Sequence, residues 1–145
     1  MSRHDNLDNL VRSGGLKAEP PDRRECEGLL NSAIDRLRDA QGSALSFASR
    51  FDLAYNAAHA LALTALRLQG FRSDRRYLVF QCLGLTLGLG KAQVRLFVLC
   101  HERRNVAEYE GYMDVDETLL AELLGAAGEI LPRVQQALKS GPSLI

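Results

Sequence analysis

Tryptophan is missing from this chain of 145 residues, and aromatic residues make up only 6% of it. Packing therefore falls to alanine and leucine, both strong helix formers, and the composition predicts an all-α protein. Net charge is missing too, since 18 basic residues meet 18 acidic ones. A global electrostatic pull on nucleic acid is thereby excluded, and any contact with phosphate must come from a local patch. The three cysteines, Cys26, Cys82 and Cys100, show no C-x-x-C spacing. An odd, scattered set excludes a disulfide framework and suits reduced thiols in a cytoplasmic protein. No apolar run has the length of a membrane span; the longest, residues 77–90, is interrupted by Gln81. The first residues lead into no apolar segment, so neither a signal peptide nor a membrane partner is expected.

What is there is an ordinary globular balance, 46% hydrophobic and 25% charged. A chain of this length suits one domain and buries roughly 68–70% of its unfolded surface, so it needs no metal or disulfide staple. Residues 1–21 are polar and carry Gly14-Gly15 and Pro20-Pro21, which reads as a flexible arm with one short helix at 7–11. Asp22 can cap a first long helix, in which Leu29, Leu30, Ala33, Ile34 and Leu37 repeat at helical spacing before Gln41-Gly42-Ser43 ends it. A second carries a wide apolar stripe from Phe47 through Phe51, Tyr55, Leu61 and Ala65 to Leu68, with Gly70 as its stop. A third spans 75–87, weakened by Gly84, Gly88 and Gly90; the Leu85-Thr86-Leu87 alternation leaves a short strand open there. The fourth covers 91–110, Gly111 and Asp114 mark a turn, and Asp116 caps a fifth over 117–139 in which Pro132 can add a kink. The expected architecture is an antiparallel four/five-helix up-and-down bundle over residues 22–140, followed by a tail at 141–145.

Several stretches invite a chemical reading. Gly84-x5-Gly90-Lys91-Ala92 has one residue too many for a phosphate loop, lacks the Ser or Thr after the lysine and has no βαβ context. Asp114, Asp116 and Glu117 are read as caps of the fifth helix ahead of a cation site, and no metal or cofactor is expected. His59 stands alone among alanines in Asn56-Ala57-Ala58-His59-Ala60, which reads as a packing histidine bonded by Asn56 one turn earlier.

The segment 101–109, His101-Glu102-Arg103-Arg104-Asn105-Val106-Ala107-Glu108-Tyr109, is different. It follows the apolar run Val94-Arg95-Leu96-Phe97-Val98-Leu99-Cys100, and a helix that packs a core has little use for so many polar groups in its last turns. His101, Arg104 and Glu108 fall at i, i+3 and i+7 on one face, which Phe97 continues back into the core. A guanidinium is always charged and matches phosphate with two parallel donors, so Arg104 meets either an external anion or Glu108. On the residues alone both outcomes stay open.

Three pieces resemble the HEPN superfamily (higher eukaryotes and prokaryotes nucleotide-binding), small all-α bundles. Phe51-Asp52-Leu53-Ala54-Tyr55-Asn56-Ala57-Ala58-His59-Ala60-Leu61 is similar to the family's second-helix pattern, and Leu68-Gln69-Gly70-Phe71-Arg72-Ser73 to its glycine-aromatic turn. Arg104-Asn105-x3-Tyr109 is similar to the Arg-polar-x3-His signature on the fourth helix, with Tyr109 where the family has His. The resemblance implies a homodimer in which the fourth helices meet and Arg104 holds a phosphate, with Asn105 as its polar neighbour. Many members are metal-independent ribonucleases whose His moves the proton. A phenol, with a pKa of about 10, is a poor general base at neutral pH. Tyr109 can still bond a phosphate or stack on a base, and His101 is the other candidate proton carrier. The leading expectation is thus an RNA- or nucleotide-binding homodimer with weak or lost cleavage, Arg72, Arg75 and Arg76 joining Arg103 and Arg104 in a phosphate patch. The resemblance also implies a possible partner protein, a nucleotidyltransferase or an antitoxin. The alternatives are an active endoribonuclease using Arg104 with His101 or Tyr109, and a non-catalytic helical module that binds another protein.

Overall fold

A computed structural model describes residues 3–42, 44–112 and 114–141. Most of the chain is helical: α1 (Arg3–Arg12), α2 (Arg23–Gln41), α3 (Phe47–Leu68), α4 (Arg76–Gln81), α5 (Leu83–Thr86), α6 (Lys91–Glu110) and α7 (Glu117–Ser140). Two short strands, β1 (Lys17–Ala18) and β2 (Phe71–Arg72), pair antiparallel, Lys17 opposite Arg72 and Ala18 opposite Phe71.

The long helices begin where short polar side chains can take up free backbone N–H groups. Asp22 accepts from the Glu25 N–H at 3.1 Å, Ser46 from Ser49 at 3.2 Å, and Asp116 from Leu119 at 2.8 Å. At the start of α6 the Gln93 side chain accepts from the Gly90 N–H at 3.0 Å. That helix ends at Gly111, whose φ of +79° is the left-handed stop that glycine takes most readily. α7 continues through Pro132.

α3 is the central element. Its alanines at 54, 57, 58, 60, 62 and 65 are all buried, and their small size lets neighbouring helices come close. α2 and α7 pack along it, while α4 and α6 cover the part that bears Tyr55. Phe51, Leu61, Phe80, Phe97, Leu123 and Ile130 lie at the centre of one continuous core.

Three expectations need correction. Residues 85–87 are not a strand: Leu85 and Thr86 belong to the helical turn α5, and Leu87 closes it. The stretch read as a flexible arm folds onto the bundle, because Leu7 and Leu16 are buried and β1 gains its hydrogen-bond partner from β2. The third helix is broken at Cys82 into α4 and α5. Ser43 of the expected first stop and residues 142–145 of the expected tail lie outside the described residues. No described helix is long and apolar enough to cross a membrane.

Candidate functional site

Tyr55, buried in α3, is the hub of a polar cluster contributed by three helices. Its hydroxyl lies 2.8 Å from Nδ1 of His101 on α6, and the two rings are near parallel at 6.1 Å. Two guanidiniums lie over the Tyr55 ring, Arg76 from α4 at 5.5 Å and Arg104 from α6 at 5.4 Å from its centroid. Cations over an aromatic face are attracted by the ring quadrupole. Phe80 wedges below, with ring centroids 5.9 Å from Tyr55, 6.2 Å from His101 and 5.8 Å from Phe97.

Further bonds fix each member. Asn56 donates from Nδ2 to the Asp52 carbonyl at 2.9 Å and to its carboxylate at 3.2 Å, and accepts from Arg76 at 2.9 Å. Arg104 reaches Asp52 through Nε at 3.3 Å and pairs with Glu108 one turn on through another nitrogen. The arginine is about a quarter exposed, whereas Asp52 and Glu108 are about half exposed, so both carboxylates can leave it for water.

His101 has no spare nitrogen. Tyr55 occupies Nδ1, and the Asn105 amide lies 3.2 Å from Nε2. Burial, reinforced by Arg76 and then Arg104 against the opposing pull of Glu102, holds its pKa below the ordinary 6.5, so the ring is neutral at neutral pH. Burial pushes the Tyr55 phenol up, so that hydroxyl keeps its proton.

Of the residues singled out on α6, the structure brings together His101, Arg104 and Asn105, with Arg76 joining from α4. The other predicted arginines do not join Arg104; Arg72 and Arg75 line a concavity with Arg76 instead. Arg72 is paired with Glu19 and Glu25 beside the β1–β2 ladder, and Arg103 turns to Asp114. The Arg75 side chain is exposed and makes no hydrogen bond or ion pair among the described residues. Tyr109 is 85% exposed, and no hydrogen bond among the described residues joins it to Arg104. Five residues on from Arg104, it falls well round the helix from it.

The remaining candidates resolve into structural partners. Asp116 caps α7, Asp114 holds Arg103, and Glu117 faces Arg50 at 3.6 Å. Among the described residues no group of three His, Cys, Asp or Glu side chains is placed to hold a metal. The thiols of Cys26, Cys82 and Cys100 are buried and unpaired. Burial pushes Cys82 up to about 11 and, with Glu122 adding to it, Cys100 up to about 12, so neither thiol is nucleophilic near neutrality. Asn56 does not bond His59, as expected from their spacing; it faces Asp52 and Arg76 instead. Tyr55 and Asp52, fifty residues upstream of the α6 segment, were visible only as parts of a helix pattern, since nothing local in their sequence shows which helix they meet.

No protein-family model, curated protein or solved structure matches the chain.

Proposed function

We propose that the face formed by α3, α4 and α6 binds the phosphate backbone of single-stranded RNA, as the HEPN-like reading of the sequence implies, and that it holds RNA without cutting it. The observation that carries this is the pair of guanidiniums, Arg76 and Arg104, set over one tyrosine from two different helices. Arg76 has no carboxylate partner among the described residues, and the carboxylates on Arg104 are exposed enough to yield to a phosphate. Each guanidinium fork can meet a phosphate with two parallel donors. Cleavage would require a free acid–base group. His101 is committed at both nitrogens, and Tyr109 points into solvent.

Titration of a labelled 5′-hydroxyl oligoribonucleotide against salt tests this. Binding should weaken steeply between about 50 and 200 mM salt. Arg104→Ala should lower affinity about tenfold for every sequence tried and reduce the salt slope by about 1. Undetectable binding at low salt, or an Arg104→Ala variant that binds like the parent, overturns the proposal. Metal-free cleavage lost in Arg104→Ala would restore the ribonuclease reading.

The homodimer belongs to the same proposal. Only Phe97 and Cys100 of α6 are buried, while its Val94, Val98 and Leu99 line an open groove of about 690 Å³ with Tyr77 and Leu89. A second copy seated there would cover this apolar surface. Light scattering at micromolar concentration should give twice the 16.0 kDa chain mass, and Val98→Asp should give the monomer. A parent protein that is already monomeric refutes the dimer and leaves the groove to a different protein, the interaction-module reading.

A further inference from the structure

A second cavity shares Arg76 with the RNA-binding face but includes neither Arg104 nor Tyr55. Its volume is about 470 Å³, within the usual span for small-ligand sites. Four parts of the chain wall it: the Gly14-Gly15 turn with Lys17, His59 and Leu63 of α3, the segment 72–74, and the start of α4 at Arg75 and Arg76. The wall is built rather than incidental. Ser73 is buried, its hydroxyl donates to the Gly15 carbonyl at 3.0 Å, and it accepts from the Arg75 N–H at 3.1 Å. Gly15 packs closely on α4: a Cβ there would meet the end of the Leu78 side chain at 2.7 Å, which would have to shift.

The charge in this cavity is unbalanced. Arg72 is satisfied by Glu19 and Glu25. The side chains of Lys17 and Arg75 have no ion pair or hydrogen bond among the described residues, and Arg76 has no carboxylate partner there, bonding the neutral Asn56 amide and Tyr55. Against these three cations the lining supplies one carboxylate, Asp74. The ring of His59 sits edge-on to Phe80 at 5.9 Å, and neither nitrogen has a hydrogen-bond partner among the described residues. A chain whose total charge is zero has therefore concentrated unpaired positive charge and an unpartnered imidazole around one concavity.

We propose that this cavity is a binding site for a phosphate monoester, the group carried by a nucleoside 5′-monophosphate or by the 5′ end of an RNA. A monoester brings nearly two negative charges on a compact tetrahedral group, which suits cations converging from β1 and α4 better than the single charge of a backbone diester. His59 adds a donor from the cavity floor once an anion is present. The groups facing that ring are Arg76 from α4 and His101 from α6, with Lys17, Arg72, Asp74 and Arg75 around the cavity. Without an anion, burial first and then Arg76 and His101 hold its pKa down to about 4. A bound dianion reverses the sign of the local field and draws a proton onto the ring.

The test uses the full chain and the ring resonances of His59, followed in a non-phosphate buffer at low ionic strength. Inorganic phosphate and adenosine 5′-monophosphate should each shift those resonances saturably and raise the His59 titration midpoint, while adenosine should do neither. The double variant Lys17→Ala/Arg75→Ala changes two exposed side chains and should weaken phosphate binding by about tenfold or more. A 5′-phosphorylated oligoribonucleotide that binds more tightly than its 5′-hydroxyl twin, with the difference lost in the double variant, identifies an RNA end as the source. A response to the mononucleotide alone identifies a free nucleotide. Arg104→Ala should leave phosphate binding intact, because Arg104 does not line the cavity. A His59 signal indifferent to phosphate, a double variant that binds phosphate like the parent, or loss of phosphate binding in Arg104→Ala each overturns the proposal.

Discussion

A guanidinium cut off from water must place its N–H groups on acceptors, and Arg67, 1% exposed at the end of α3, is surrounded by them. Its Nε donates to Glu25 at 2.6 Å, one terminal nitrogen to the carbonyls of Glu19 at 3.0 Å and Phe71 at 3.3 Å, and the other to the Pro20 carbonyl at 2.8 Å, with the Glu19 carboxylate 3.3 Å away as an ion pair. One side chain thus ties α3 to the segment before α2 and to β2. Removing it leaves Glu19 and Glu25 to Arg72 alone and strands three carbonyls that were arranged around its charge. Arg67→Ala should cost about 3–5 kcal/mol, the range for breaking a buried ion pair from one side. Arg67→Met, which keeps the apolar stem, should remain strongly destabilised if the bonds matter more than the packing. Urea unfolding measures both, and a Met variant as stable as the parent would refute that account. Tyr55→Phe is a milder case at the candidate site. It removes the partner of His101 Nδ1 and should cost about 1 kcal/mol while leaving the ring under both arginines.

At the scale of elements, the chain advertises those whose signals are local. Asp22, Ser46, Asp116, Gly90 and Gly111 bracket the long helices within a residue or two of where they form, because caps and left-handed stops act on the next turn only. The i, i+3 spacing of His101 and Arg104 likewise placed them on one face of α6. What could not be read is whatever depends on distant partners. β1 and β2 are two residues each and carry no alternating pattern; they exist because Arg67 and Gly70 hold the two segments together. Arg72 and Arg103 read as members of a basic patch, yet their carboxylates, Glu19, Glu25 and Asp114, come from segments that the fold brings near. Gly70 is the element-scale test. Its φ is +92°, its carbonyl accepts from the Glu19 N–H at 2.9 Å, and a Cβ there would touch Glu19 and Pro21 only at an ordinary 3.9 Å. Space is therefore available and backbone strain decides, so Gly70→Ala should cost about 1–2 kcal/mol and lower the Tm by a few degrees. An unchanged Tm would mean that the β1–β2 ladder adapts without cost.

Across the whole molecule, the titrating groups with depressed pKa values give stability a definite slope with pH. His59 and His101 both sit below the ordinary 6.5, His59 at about 4. In the window between 4 and 6.5 the unfolded chain binds a proton at position 59 that the folded chain refuses, so stability rises with pH through that window and is full above it. Glu25 adds a second step lower down. Burial alone would raise its carboxyl, but the hydrogen bonds from Arg67 and Arg72 and their charges outweigh burial and hold it below the ordinary 4.5. Its contribution is present above 4.5 and disappears as acid protonates it in the folded state. Urea midpoints collected in non-phosphate buffers should therefore be flat near neutrality, fall as pH drops below 6.5, and fall again below 4.5. His59→Gln removes a titrating group without removing its polarity, and it should shrink the upper step to the part that His101 contributes while leaving the lower one. Adding phosphate should do the same to the parent chain, because an anion beside His59 lets the folded state accept the proton it otherwise rejects. A parent protein most stable near pH 5, or a His59→Gln variant with the upper step intact, would show that His59 is not held neutral by its surroundings. The linkage between the cavity and acid stability would then fail together with it.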